Sequence, residues 1–459
     1  MVTSLIFFSL SISFLVSYAT ASSSLAGLPL FISSSDKDYN RPRYANVLIT
    51  TNELLLLLAG IMLLGFVGEI AFRKKKIPDM LLLLLIGIAL HYAGIIPGVY
   101  LSIMRDLLGF VGTVALILIV FGGLLKLDLQ KFGASVSRGV VIAALDLVFV
   151  IGITTPILYF FLKIPFLDSL LLAAVLSENS VTFIVPLMSR VSLDERVKHT
   201  IEVETIMNSV MNIIVVLLIL SIMNQQSSLV GLAGYLFGSI SEALILGGVA
   251  GIVWLLVLRQ ALTPHYYIAT VAVLFALWGV SDIIGASAIL TIFVFSVIIA
   301  NSRPVSKVVK ISGIIDNESL SYFNSEIIFF VMTLFYVYIG ILVNIFDFYG
   351  LLVALLLVAI LVAIRFIEVF SVQGATKWFG KDSLLVSSFV QRGSTVIVLA
   401  GILLSTDPSV FGLFGNILFY VVIFTILSGS LLFSAISRKY ISPTTVIGTT
   451  TSEATKTQK

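Results

Sequence analysis

Residues 171–220 read LLAAVLSENSVTFIVPLMSRVSLDERVKHTIEVETIMNSVMNIIVVLLIL. This stretch contains two apolar segments long enough to cross a bilayer, because about 20 helical residues at about 1.5 Å each cover the hydrocarbon core. Polar residues interrupt both segments: 177–180 (SENS) in the first, and Glu202, Glu204, Asn208 and Ser209 in the second. A carboxylate at membrane depth is costly and commonly marks an ion or substrate pathway. We therefore expect the functional site to lie in this stretch.

The composition of the whole chain indicates a membrane protein. Hydrophobic residues make up 59% of the 459 positions and charged residues only 11%, which a soluble domain of this length does not need. The absence of cysteine excludes disulfides and thiolate metal sites. The net charge of +3 is small and the basic residues lie in short loops, so the pattern does not suggest nucleic-acid binding.

Hydropathy predicts an all-α polytopic protein with about thirteen transmembrane helices in one domain, residues 53–437. Residues 1–25 are expected to be a signal peptide or an extra N-terminal helix, residues 26–52 an extracellular polar segment, and residues 438–459 a short cytoplasmic tail. The expected spans are 53–72, 79–97, 106–125, 139–162, 166–188, 201–223, 233–258, 266–283, 285–300, 326–346, 349–373, 384–404 and 411–437.

The basic residues alternate sides in agreement with this topology. Of the 27 lysines and arginines, 20 lie on the side that holds the 73–76 cluster RKKK and the C-terminus, and five lie on the other side. The positive-inside rule makes the richer side cytoplasmic, so we expect a multi-pass protein of the plasma membrane. The remaining two, Arg365 and Arg392, lie inside spans 11 and 12.

Span 12 contains a second polar interruption, residues 391–395 (QRGST). Interrupted helices line cavities in which freed backbone groups can bind an ion. The two interrupted spans, 5 and 12, are seven apart, so they cross the membrane in opposite directions. The pattern therefore predicts two inverted repeats whose broken helices cross near the midplane.

Several stretches resemble the monovalent cation:proton antiporters of the sodium/proton exchanger type, and they occur in the same order. They are IPDMLLLLLIGIAL (77–90), IVFGGLLKLDL (119–129), VLSENSVTFIVPL (175–187), VETIMNSV (203–210), GASAILTIFVFSVIIAN (285–301) and QRGSTVIVLA (391–400). The resemblance covers nearly all of the chain from residue 53 onward. It implies a core bundle with two crossed, broken helices, a second bundle for dimerisation, and thus a homodimer.

The chain departs from this family at both ion-binding aspartates. Where the family usually has Ser-Ala-Thr-Asp-Pro, residues 177–181 are SENSV, so that Ser180 replaces the aspartate. Where the family has Glu-Ser-Leu-Leu-Asn-Asp, residues 204–209 are ETIMNS, so that Ser209 replaces the second one. The resemblance implies an ion pair between Glu204 and Arg365. The candidate ion-binding residues are Glu178, Asn179, Ser180, Glu204, Thr205, Asn208 and Ser209, with Arg365 and Arg392 as structural or charge-compensating residues.

Glu178 is the candidate proton and cation carrier. An antiporter needs a titratable group for which the proton and the cation compete, and neither Ser180 nor Ser209 can titrate, although their oxygens can coordinate a cation. Glu178 lies two residues before the lost aspartate. The alternative is that Glu178 forms an internal ion pair with Arg392 in a relative that does not exchange protons.

These observations predict a secondary transporter that exchanges Na⁺ or K⁺ for protons across the lipid bilayer. The alternative is a relative of antiporter fold with altered or lost proton coupling, such as another solute transporter, a channel or a sensor. An enzyme is disfavoured, because the sequence has neither a His-rich or Asp-rich metal cluster nor a GxxxxGK loop. No cofactor is expected, and no metal beyond the transported cation.

The topology can be tested with single cysteines at Ser137 and Ser227, since the chain contains no other cysteine. We expect a membrane-impermeant thiol reagent to label Ser137→Cys from the cytoplasmic side and Ser227→Cys from the opposite side. Labelling of both from one side would contradict the thirteen-span topology.

Overall fold

The computed structural model describes residues 79–94, 98–126, 134–224, 229–260, 265–303, 305, 317–406 and 408–437, and most positions between 55 and 70. All regular elements in these ranges are helical. The segments expected at 1–25, 26–52 and 438–459 lie outside the described residues, as does the 73–76 cluster.

The helices are numbered here in chain order. They are α1 (Asp79–Tyr92), α2 (Gly98–Leu125), α3 (Ala134–Pro156), α4 (Phe166–Leu176), α5 (Val181–Met188), α6 (Glu195–Asn224), α7 (Leu229–Gln260), α8 (Tyr266–Ile284), α9 (Ala288–Ala300), α10 (Asn317–Leu342), α11 (Phe348–Thr376), α12 (Ser383–Val386), α13 (Ser394–Thr406) and α14 (Pro408–Ser437). A π-helical turn, Ile157–Phe161, continues α3.

The predicted fold class, an all-α polytopic membrane protein, is confirmed. Nine helical segments within the described ranges are long and apolar enough to cross a membrane. Twelve of the thirteen predicted spans coincide with described helices, and the first, 53–72, coincides with helical residues only in part. The helices α2 and α10 begin earlier than hydropathy predicts, at Gly98 and Asn317. The first turn of α10 reads NESL and carries no hydrophobic signal, because a helix can extend beyond the hydrocarbon layer. The added turns of α2 precede the charged pair Arg105 and Asp106, at which the predicted span begins.

Both predicted interruptions are confirmed. The helix α4 ends at Leu176 and α5 begins at Val181, so residues 177–180 separate the two halves of span 5. In span 12, α12 ends at Val386 and α13 begins at Ser394.

The helices form two groups of packing partners. In the first group, α3 packs against α4, α6 and α11, while α11 and α13 pack against α14. In the second, α1 packs against α10 and α7 against α9, and α2 contacts both α10 and α13. Gly87 of α1 and Gly340 of α10 face each other so closely that a Cβ at either position would meet the backbone of the other helix. Their backbones are therefore in direct contact.

A buried charge cluster joins α3, α6 and α11, which we call the Arg365 cluster: Arg365, Glu204, Glu368 and Asp146. Arg365 Nη1 donates to Glu204 Oε1 at 2.6 Å and to Glu368 Oε2 at 2.9 Å. Asp146 Oδ1 lies 3.9 Å from the same nitrogen. All four side chains are buried. The predicted pair between Glu204 and Arg365 is thus confirmed, and Arg365 has two further carboxylates beside it.

We expect Arg365→Gln to destabilise the protein by about 3–5 kcal/mol, because it leaves buried carboxylates without their cation. The double variant Glu204→Gln/Arg365→Gln should lose less stability, because one of the buried carboxylates is removed together with the cation. Thermal unfolding in detergent, followed by tryptophan fluorescence, measures both. Equal losses in the single and double variants would show that the pair does not stabilise the bundle.

Candidate functional site

Polar contacts in the protein interior stabilise the break in span 5. The hydroxyl of Ser177 donates to the carbonyl of Ala174 at 2.8 Å, which satisfies a carbonyl at the end of α4. The backbone N–H of Asn179 donates to Asn208 Oδ1 at 2.7 Å instead of continuing the helix. The four residues 177–180 are fully buried. Side chains of α6 therefore replace the hydrogen bonds that the interruption removes.

The break in span 12 lies directly against the first. The backbone N–H of Ser180 donates to the carbonyl of Gln391 at 3.0 Å, so the two chains share a main-chain hydrogen bond. The backbone N–H of Arg392 donates to Thr425 Oγ1 of α14 at 3.2 Å. A Cβ at position 393 would collide with Ser180. Glycine at this position therefore allows the two breaks to meet.

Each break supplies a charge that complements the helix end of the other. Gly393 N–H, one residue before α13, donates to the carboxylate of Glu178 through Oε2 at 3.0 Å. Arg392 Nη1 donates to the carbonyl of Glu178 at 2.7 Å, beyond the end of α4. An anion is favourable at a helix N-terminus and a cation at a helix C-terminus. We call this arrangement the reciprocal cap.

In the reciprocal cap, the Glu178 carboxylate does not form an ion pair with the Arg392 guanidinium. Arg392 Nη1 bonds to main-chain oxygens of the break and to Asn179 Oδ1. The second carboxylate oxygen, Glu178 Oε1, instead accepts a hydrogen bond from Ser209 Oγ at 3.1 Å. Thr395 lines the same cavity as Glu178 and Ser209. The alternative interpretation of the sequence was an ion pair between Glu178 and Arg392. The carboxylate makes other contacts instead.

Asp146 of α3 orients the two amides behind the carboxylate. Its Oδ2 accepts from Asn179 Nδ2 at 3.1 Å and from Asn208 Nδ2 at 3.0 Å. Both amide nitrogens are therefore committed to Asp146. The amide oxygens are left to accept from Arg392 and from the Asn179 N–H. Asp146 thereby fixes the shape of the first break.

A cavity of about 500 Å³ reaches the Glu178 carboxylate. Its inner part is lined by Glu178, Ser209 and Thr395. At the other end lie Lys126, directly after α2, and Glu202, near the beginning of α6. Both residues lie at the end of the bundle where α2 ends and α6 begins. The cavity thus connects the buried carboxylate to one face of the bundle.

The structure brings most of the predicted site residues together. Glu178 and Ser209 meet in the cavity, and Asn179 and Asn208 bond to each other behind it. Ser180 is buried and bonds to the second break through its backbone, while its hydroxyl has no hydrogen-bond partner. Glu204 and Thr205 make other contacts: Glu204 accepts from Arg365, and Thr205 donates to the carbonyl of Glu202.

Three contributors did not appear among the predicted site residues: Asp146, Gly393 and Thr395. Asp146 could be found only as an ionisable residue inside a predicted span, and its partners are 33 and 62 residues away in sequence. Gly393 and Thr395 lie inside the predicted second interruption. The interruption located them, but no sequence pattern shows which N–H or hydroxyl faces Glu178.

Chemically, the inner end of the cavity offers one carboxylate, hydroxyl oxygens and backbone dipoles. Oxygen ligands of this kind suit a small hard cation. Within the described residues, no group of three or more His, Cys, Asp or Glu side chains is placed to hold a resident metal ion.

The sequence is similar to that of a known protein family. Residues 55–439 match the family model described as "Sodium/hydrogen exchanger, transmembrane". A curated relative, the "Probable Na(+)/H(+) antiporter 2" of Methanocaldococcus jannaschii, is 30% identical over 178 residues. That match covers 38% of this chain and 40% of the relative, so the aligned region spans less than half of the relative's length.

Two solved structures share the fold. The sodium proton antiporter MjNhaP1 from Methanocaldococcus jannaschii at pH 8 matches with a TM-score of 0.69 and 19% identity, over 82% of this chain and all of that one. An electron-microscopy structure of MjNhaP1 matches with a TM-score of 0.64 and 19% identity, over 86% of this chain and all of that one. Because the family model matches most of the sequence, the chain belongs to the sodium/hydrogen exchanger family.

Proposed function

We propose that the chain exchanges a monovalent cation, Na⁺ or K⁺, for protons, and that Glu178 is the group both ions share. The observation that supports this most directly is the hydrogen bond of 3.1 Å between Glu178 Oε1 and Ser209 Oγ at the inner end of the cavity. Ser209 occupies the position at which the family usually has its second aspartate. The Glu178 side chain reaches from the neighbouring break and brings a carboxylate to that position.

Exchange follows from the competition of two cations for one carboxylate. When Glu178 is ionised, its negative charge attracts a metal cation that has entered the cavity. When Glu178 is protonated, that attraction is lost and the cation leaves. One group therefore binds either ion but not both, which is the requirement for coupled exchange.

The cation would bind to oxygens that already lie close together. Ser209 Oγ is 3.1 Å from Glu178 Oε1 and 3.4 Å from the backbone carbonyl oxygen of Asn179. The Ser209 proton now points at one of these acceptors, and it can rotate away when a cation arrives. Thr395 and Thr182 add hydroxyls to the cavity lining. Carboxylate, carbonyl and hydroxyl oxygens are suitable ligands for hard alkali cations.

The proposal also includes the extent, orientation and oligomeric state of the transport domain. Residues 53–437 form the transport domain in the plasma membrane, with the C-terminus in the cytoplasm, and the Lys126 end of the cavity opens to that side. The basic-residue asymmetry of 20 to five supports this orientation. The protein acts as a homodimer without a cofactor, and it is not an enzyme, as the family resemblance implies.

We expect Glu178→Gln to abolish cation-induced proton movement in proteoliposomes while the protein remains folded. Glutamine keeps the size of the side chain but cannot titrate. The assay is ΔpH dequenching with Na⁺, K⁺ and Li⁺ added in turn, and thermal unfolding confirms the fold. Exchange by the wild type that survives in Glu178→Gln would show that another group binds the ions.

The matched control is Glu242→Gln, which removes a carboxylate from an exposed position on α7. This variant should exchange ions at the wild-type rate. Wild-type protein that exchanges no alkali cation for protons would overturn the proposed function itself and favour a relative with altered coupling.

We expect Ser209→Asp to move half-maximal exchange to higher pH. The new carboxylate would lie beside Glu178, and two adjacent carboxylates retain a shared proton more strongly than one does. Measuring dequenching from pH 6 to pH 9 in about half-unit steps gives the profile. An unchanged profile would indicate that position 209 does not face the exchanged proton.

A further inference from the structure

The Arg365 cluster contains more negative than positive charge, and it lies next to the reciprocal cap. Asp146, Glu204 and Glu368 surround Arg365, and Arg392 Nη1 lies 4.0 Å from Asp146 Oδ2. With Glu178 included, four buried carboxylates face two guanidinium groups. Full ionisation would leave two uncompensated negative charges among buried side chains. Buried charge of this kind is avoided by protonation.

Three carboxylate oxygens of the cluster are buried and accept no hydrogen bond: Asp146 Oδ1, Glu204 Oε2 and Glu368 Oε1. Two of them, on Asp146 and Glu368, show where a proton would fit. The carboxyl groups of Asp146 and Glu368 lie beside the same nitrogen, Arg365 Nη1, at 3.9 Å and 2.9 Å, and a hydrogen bond between these two groups would satisfy both oxygens. Two carboxylates cannot form such a bond, whereas one carboxylic acid and one carboxylate can. A single proton between them provides both oxygens with a partner.

The contacts of the three carboxylates indicate which one holds the proton. Asp146 accepts from two amides and lies about 4 Å from both guanidinium groups. Glu204 accepts from Arg365 at 2.6 Å, the length of a strong charge-assisted bond. Glu368 accepts one longer bond, 2.9 Å, from the same nitrogen. The negative charge is therefore best supported on Asp146 and Glu204, and least on Glu368.

We propose that Glu368 is a second proton-binding site, which keeps its proton and donates a hydrogen bond to Asp146. The site differs from Glu178 in its access. Glu178 lines the cavity, whereas no residue of the Arg365 cluster does so among the described residues. Glu368 is fully buried in α11. Its proton stays in place while the exchanged proton moves at Glu178. By keeping Asp146 ionised, Glu368 acts as a positioning residue for Asn179 and Asn208.

Infrared spectroscopy of the reconstituted full-length protein tests this assignment. The C=O stretching band of a protonated, buried carboxyl group is separate from the bands of carboxylates. The Glu178→Gln variant is the starting protein, because it removes the signal of the exchange site. We expect it to show such a band at neutral pH, and we expect the added change Glu368→Gln to remove it. The added change Glu204→Gln should leave the band in place.

Glutamine at 368 mimics the protonated acid, since its amide can donate to Asp146 and its oxygen can accept from Arg365. Glu368→Gln alone should therefore fold, and it should retain the wild-type pH profile of any exchange. A band that persists in the Glu368 variant, or that disappears in the Glu204 variant, would overturn the proposal. Failure of Glu368→Gln to fold, or a shifted pH profile, would overturn it as well. The infrared measurement requires no transport, so its outcome is independent of the proposed function.

Discussion

The structure depends on two helix breaks, each of which places a charged side chain at a helix end of the other. Each break leaves backbone groups without helical partners in the interior of a membrane protein, where water cannot replace them. The Glu178 carboxylate accepts from Gly393 N–H before α13, and the Arg392 guanidinium donates to carbonyls after α4. The same contacts that stabilise the breaks place a carboxylate at the inner end of a cavity. Stability and the candidate ion site therefore have one physical origin.

A second layer of contacts keeps this arrangement in place. Asp146 binds two amides of the first break and lies between the two arginines. Arg365 in turn connects α11 to α6. The buried polar groups thus form a continuous network from the cavity to α11. Each member needs the others, because an isolated buried charge would be far more costly than a paired one.

Part of this architecture is visible in the sequence and part is not. The spans and both interruptions follow from hydropathy and from polar runs, since lipid exposure imposes a simple rule on long segments. The Glu204–Arg365 pair followed from the family resemblance, at a separation of 161 residues. The partners of Glu178 could not be derived. They depend on the angle and depth at which the breaks meet, and these are set by packing at positions such as Gly393. The start of α10 was missed because polar helical turns outside the hydrocarbon resemble loops in hydropathy, and the start of α2 because Arg105 and Asp106 interrupt its apolar run. The internal inverted repeat stays a prediction.

The main-chain hydrogen bond between Ser180 and Gln391 also has a mechanical meaning. Together with the bond from Gly393 to Glu178, it fastens α4, α5, α12 and α13 at a common point. Separating any of these half-helices from the others would expose unpaired backbone groups and two buried charges. The four half-helices are therefore expected to translate and rotate as one rigid body. Glu178 would then become accessible from the other side of the membrane when this body slides along α2 and α10, whose surfaces line the cavity.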